Sequence, residues 1–259
     1  MDFSTHLRAS GDAQSTIDLR TRHLAYLAAA MGRPAKLATA AELEAFLGTP
    51  GWSADYRRSV RSTLTTFFRW LEVTGQRADN PTATLPRCKA APPHPRPLPE
   101  DAWRRARKHE EPTVQAMARL AGEAGLRRSE IAQAHQNDLW RDLLGWTLTV
   151  HGKGGKDRDV PISDDLAGFL RARCGSAWMF PGRFDGHLSS DNVGRHLKAL
   201  CPPGYSGHSF RHRYASVLYG RTQDIRAVQE LLGHASIATT QRYVAMDRAR
   251  IREVAALAA

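Results

Sequence analysis

The sequence predicts a mainly α-helical chain with one small β-hairpin or sheet, an α+β architecture in two parts. Three observations predict it. In the first 90 positions apolar residues recur at steps of three and four, the period of a helix with one buried stripe. Residues 81–99 hold seven of the 14 prolines, including Pro92-Pro93 and the alternating Pro95, Pro97 and Pro99, which divides the chain. Beyond them Trp146–His151 and Arg158–Ile162, built from strand formers, flank a glycine-rich turn.

Taken in order, Ser15 is a candidate cap for a helix through about Ala30, with Ile17, Leu24 and Leu27 on one side and Gly32 and Pro34 ending it. A second helix is expected over Ala40–Leu47. Ser53 is the expected cap of the strongest helix, Ala54–Val73, where Tyr56, Val60, Leu64, Phe67 and Leu71 form one stripe. Arg57, Arg58 and Arg61 lie off that stripe, either as phosphate contacts or as a solvated basic face. The proline-rich stretch cannot be helical and favours semi-rigid extended backbone. It places an interdomain linker at about 86–97, between a helical domain over 1–85 and a second domain over 98–259.

The second domain opens with helices over Glu100–Lys108 and Val114–Ala124, the latter stopped by Gly125. Ser129 is a candidate cap for a helix carrying Ile131. The hairpin follows, with Gly152-Lys153-Gly154-Gly155-Lys156 as its turn. Helices are then expected over Ser189–Leu200 and Asp224–Leu232, the second stopped by Gly233. Ser236 caps a further helix carrying Tyr243, and Asp247–Leu257 is an amphipathic tail with Ile251, Val254 and Leu257 on one stripe.

The chain has 259 residues, a net charge of +11 and an isoelectric point near 10.1. This balance favours a polyanionic partner, a nucleic acid or an anionic membrane surface. The charge is spread: residues 1–90 carry 12 Lys/Arg against 8 Asp/Glu and residues 91–259 carry 25 against 18, so no detachable basic tail accounts for it. Three cysteines, Cys88, Cys174 and Cys201, lie far apart and offer neither a disulfide framework nor a zinc cluster. A reducing, cytosolic setting fits. Cys201 with His208 and His212 is at most half of a metal site, because no second cysteine lies at short spacing. No apolar run approaches the ~18 residues of a membrane helix, no helix pairs a basic face with a broad aromatic one, and no export signal is expected at the N-terminus.

The stretch that carries chemistry runs from His208 to Tyr243: His208-Ser209-Phe210-Arg211-His212, Leu231-Leu232-Gly233-His234, then Arg242-Tyr243. On a helix His208 and Arg211, three apart, share one face and can converge on one phosphate. Cleaving a phosphodiester without a metal needs fixed cations for the charge gathering on the phosphate oxygens, a hydroxyl aimed in line, and a proton for the leaving oxygen. Arg127, Lys153, His208, Arg211, His234 and Tyr243 are the candidates. Gly233 leaves space beside His234. Taken one at a time each has a bland alternative: Tyr243 as a core tyrosine, His234 as a capping histidine, Arg128 in place of Arg127, Lys156 in place of Lys153. His212 and Arg213 read as packing or backbone contacts.

Together and in order, these motifs resemble the tyrosine recombinase (phage integrase) family over residues 98–250. They are Gly125-Leu126-Arg127 with Glu130, Gly152-Lys153-Gly154 followed by Val160-Pro161, His208-Ser209-Phe210-Arg211-His212, Leu231-Leu232-Gly233-His234, and Tyr243 nine residues beyond His234. The helical first domain resembles the family's core-binding domain. The resemblance implies that Tyr243 attacks a DNA phosphate and forms a 3′-phosphotyrosyl link, that Arg127 and Arg211 clamp the non-bridging oxygens, and that Lys153 protonates the leaving 5′-oxygen. It further implies that His208 assists at the nucleophile, that His234 donates to a phosphate oxygen, and that Glu130 braces the site. No cofactor or metal is implied. Double-stranded core or attachment sites are the implied partner, acted on by four protomers through a Holliday junction, with the tail docking on a neighbour. A chain that begins at its helical domain resembles Xer-type recombinases and small integrases without an arm-binding domain, and implies the cytoplasm and nucleoid of a bacterial cell. Two other functions stand beside this one: a type IB topoisomerase-like relaxing enzyme, and a DNA-binding regulator with a relic site.

Overall fold

In the computed structural model, residues 2–88, 95–152, 155, 157–172 and 177–233 are described. The chain is mainly helical with a three-stranded antiparallel sheet, the predicted class, and divides into two compact units, 1–92 and 93–259.

In the first unit α1 (Phe3–Ala9), α2 (Gln14–Met31), α3 (Ala40–Leu47) and α4 (Ala54–Val73) surround one apolar core. The predicted bounds of α3 and α4 are met, and Ser53 caps α4 by accepting the Tyr56 N–H at 3.2 Å. The stripe on α4 is buried as its period requires: Val60, Leu64, Phe67 and Leu71 pack inward with Phe68, each such side chain contributing about 1.5–3 kcal/mol by leaving water. Two details differ from expectation. Helix α2 begins at Gln14, with Ala13 at the cap position, so Ser15 lies inside the first turn and does not cap. The unpredicted α1 spans under two turns, too short to show a period. Asp2 caps it by accepting the Thr5 N–H at 2.7 Å, and Phe3 and Leu7 seat it on the core.

The second unit is built on α6 (Pro112–Glu123), whose Met117 and Leu120 are fully buried. Its proline sits in the first turn, where the missing N–H costs nothing. Small residues on α6 admit close neighbours: a Cβ on Gly122 would lie 2.3 Å from the ring of Trp103, carried by α5 (Glu100–Arg107). Around α6 lie α7 (Arg128–Ala132), α8 (Asp164–Arg171), α9 (Ser190–Ala199) and α10 (His208–Thr222), and α11 (Ile225–Leu232) packs on α10. The hairpin forms as β2 (Trp146–His151) against β3 (Asp157–Ile162), with Val150 opposite Arg158 and Leu148 opposite Val160. A third strand, β1 (Leu139–Arg141), pairs with β2. Ser189 and Asp224 cap α9 and α11 through their side chains. Ser129 does not cap α7; it lies inside the helix, and the cap position belongs to Arg127. The hairpin tip at Lys153, the Ser236 cap, the helix expected to carry Tyr243 and the tail helix lie outside the described residues.

Candidate active site

The turn from α6 into α7 is fixed first. Gly125 has φ +67°, a left-handed conformation that L side chains rarely adopt, and a Cβ there would lie 2.5 Å from the Tyr214 ring of α10. Leu126 is buried in the core, which leaves Arg127 at the cap position of α7. Glu130, one turn on, reaches back to accept the Arg127 backbone N–H at 2.7 Å and the Arg127 guanidinium at 2.6 Å. The spacing of three between Arg127 and Glu130 is thus the acidic half of a capping box put to use in holding a cation.

Glu130 is a hub. Its carboxylate also accepts both terminal nitrogens of Arg158 at 2.9 Å, and the Arg211 guanidinium lies 4.0 Å away. Burial alone would raise its pKa. The hydrogen bonds and charge of Arg158, then the backbone N–H and charge of Arg127, overcome that and bring it down to about 2.

Helix α10 presents His208 in its first turn and Arg211 three residues later. Arg211 is 1% exposed and donates to the carbonyls of Gly125 and Leu232. His208 lines one groove with Arg127, a cleft of about 620 Å³ between α7, α9 and α10 that also carries Arg128, Arg195 and Lys198. Crowding of its ring away from water, then the charges of Arg211, Arg128 and Arg127, lower its pKa and favour neutral imidazole. Arg128 forms its ion pair outward, to Asp191 at 3.1 Å. Tyr214 is held as a neutral phenol, pushed up to about 12 by burial. His212 accepts the Arg96 N–H on Nδ1 at 3.0 Å, and its pKa falls to about 4 through burial and then the charges of His208 and Arg211. Arg213 pairs with Glu100 at 2.8 Å and covers the Trp103 ring. Both residues make the packing and backbone contacts expected of them.

The end of α11 closes the assembly. Its last carbonyls each accept from a different arginine: Leu231 from Arg158 at 3.0 Å, Leu232 from Arg211, and Gly233 from Arg127 at 3.3 Å. The negative end of the helix dipole thereby faces three guanidinium groups. Gly233 has φ +62°, and a Cβ there would lie 2.8 Å from Cδ of Arg158.

The structure therefore brings Arg127, Glu130, His208 and Arg211 together at the residue preceding His234. Lys153, His234 and Tyr243 lie outside the described residues. In the first unit Arg57 donates to the carbonyls of Leu47 and Thr49, and Arg61 to those of Pro86 and Leu85, while Arg58 makes an exposed pair with Asp55 at 3.6 Å. Sequence reasoning missed Arg158. The signal was available: in β3 Arg158, Val160 and Ile162 share one face, so the alternation that buries Val160 turns Arg158 inward.

The comparisons with known proteins define the class, a DNA-breaking and rejoining enzyme of the tyrosine recombinase type. The sequence profile of the phage integrase family matches residues 102–250, and the chain belongs to that family of site-specific recombinases. It is similar to the tyrosine recombinase XerC of Xanthomonas campestris pv. campestris, 34% identical over an alignment of 286 positions that covers 97% of this chain and 85% of the relative. Among solved structures it is similar to an integrase from mycobacterium phage Brujita, at 28% identity and a TM-score of 0.51 over 93% of this chain and 88% of that one. The fold is also that of a lambda integrase tetramer bound to a Holliday junction, with a TM-score of 0.71 at 20% identity, covering 93% of this chain and 75% of the other. No helix among the described residues is long and apolar enough to cross a membrane.

Proposed function

We propose that this chain recombines double-stranded DNA at core or attachment sites through a covalent 3′-phosphotyrosyl intermediate. Tyr243 is the nucleophile. Its oxygen attacks the scissile phosphorus as the bond to the 5′-oxygen breaks, and Lys153 gives that oxygen its proton. Arg127 and Arg211 stabilise the charge on the non-bridging oxygens, His234 donates to one of them, and His208 assists proton transfer at the phenol. Glu130 holds the arginines in place. Attack by the 5′-hydroxyl of a second duplex reverses the step and exchanges strands. Four protomers perform two such rounds through a Holliday junction, and residues 247–257 dock on a neighbouring protomer. Residues 1–85 grip the core DNA, 86–97 link, and 98–259 perform the chemistry, in the bacterial cytoplasm at the nucleoid.

The observation that carries this reading is one carboxylate holding Arg127 at 2.6 Å with Arg211 at 4.0 Å, beside His208. Two guanidinium groups, one of them stripped of water, form a fixed cationic seat whose pull on an incoming phosphate is little screened. The test is a nicked suicide substrate carrying the target site. Wild type should accumulate a covalent protein–DNA adduct that Tyr243→Phe does not form. An adduct of equal yield in the variant removes Tyr243 as nucleophile. Strand exchange between two duplexes distinguishes recombination from simple relaxation.

A further inference from the structure

We propose that Arg158 is a positioning residue for strand cleavage, locking three separate segments of the site into one register. The proposal rests on the phosphotyrosyl reading above. Arg158 stands on β3 with its side chain 11% exposed. Its terminal nitrogens hold both oxygens of Glu130 at 2.9 Å, and its Nε donates to the Leu231 carbonyl at 3.0 Å. Through Glu130 it acts on Arg127. Through Leu231 it fixes the end of α11, two residues before the Gly233–His234 peptide. Through β3 it belongs to the hairpin whose turn contains Lys153.

The chemistry suits arginine and not lysine. A planar fork can meet a carboxylate with two nitrogens and still turn the third to a carbonyl, whereas an ammonium on a flexible stem cannot span both. Gly233 completes the arrangement, since a Cβ at that position would stand 2.8 Å from Cδ of Arg158. Arg158 touches neither phosphate nor leaving group in this scheme. It acts on rate by setting where the groups that do so stand.

The experiment compares wild type, R158Q and R158K in the full chain, each at saturating DNA, by single-turnover cleavage of the suicide substrate, with binding measured separately. A misplacement of catalytic groups by about 1 Å costs on the order of a hundredfold in rate. R158Q should fall by about that factor with its DNA affinity changed less than about threefold, and R158K should lie between it and wild type. The discriminating readout is the ratio of variant to wild-type rate against pH. Glu130 faces Arg127 from the turn before α7, Arg158 from β3 and Arg211 from α10. Without Arg158, burial pushes Glu130 towards protonation, so the ratio should fall further as pH drops from 8 to 5.5. His208 titrates in all three proteins and leaves the ratio alone. A cleavage rate within about threefold of wild type, or a defect equal at every pH, overturns the proposal. If R158Q fails to fold, R158K bears the same two criteria. If wild type itself forms no adduct through Tyr243, it is the functional reading that fails, and this is seen before any Arg158 variant is compared.

Discussion

Replacing Glu130 by glutamine should weaken the fold at neutral pH by an amount that shrinks with acid. The carboxylate ionises with a pKa of about 2 in place of its ordinary 4.5. A depressed folded value means that the stabilisation is fully present above the unfolded pKa and is lost as pH falls through the folded one. At 1.36 kcal/mol per decade the difference amounts to about 3 kcal/mol at pH 7 and about 2 kcal/mol near pH 3.5. Glutamine keeps the shape and cannot titrate. It also leaves Arg158 facing a neutral amide, and breaking a buried pair from one side costs about 3–5 kcal/mol, a compatible figure. The assay is urea unfolding of the full-length wild type and E130Q at pH 7, 5 and 3.5. The gap between them should be nearly the same at pH 7 and pH 5 and clearly narrower at pH 3.5. A gap that is constant across pH, or below about 1 kcal/mol at pH 7, would refute the assignment of Glu130 as an ionised hub.

Gly122→Ala should destabilise by about 1–3 kcal/mol despite alanine's better helix propensity, because the added methyl meets the Trp103 ring at 2.3 Å; thermal unfolding of the variant gives the sign. His151 bridges Asp138 and Asp157 at 3.0 Å each, and its pKa is raised chiefly by the hydrogen bond to Asp138. Its support of the hairpin should be present below pH 6.5 and fade as pH rises through the folded value. Amide exchange in β2 and β3, corrected for intrinsic rates, should show this in wild type and be flat in H151N. Arg61→Ala should lower the unfolding free energy by about 1 kcal/mol, and with it the unfolding midpoint, through lost bonds to Leu85 and Pro86. Loss of DNA affinity with an unchanged midpoint would instead assign Arg61 to phosphate.

What the sequence made legible follows the physics of each signal. Helix α4 was readable to the residue because its stripe runs five turns and Ser53 stands at its head. Helix α1 was not, since seven residues cannot display a period. The cap of α7 was misassigned to Ser129 because serine is the commoner capping residue, while the true device lies in Glu130 reaching backward. In the site, His208 and Arg211 were marked by their spacing, and Arg127 by the resemblance to the family's motif. Arg158 was hidden because a lone arginine in a strand looks like solvent-facing charge until its face is compared with that of Val160. Arg57 and Arg61 show the converse: side chains that count as a basic face in sequence donate to backbone carbonyls in the fold.

The close approach of Arg158 to Gly233 has a consequence for how this chain can vary. A side chain at position 233 demands a shorter one at 158, yet a shorter one at 158 releases both the carboxylate and the helix end. Neither position can change first without loss, so single substitutions there should be purged from any random library selected for recombination. Even a simultaneous exchange that rebuilt the clasp with another donor would leave a side chain on left-handed backbone at 233, so the two codons should be held fixed as one unit of inheritance.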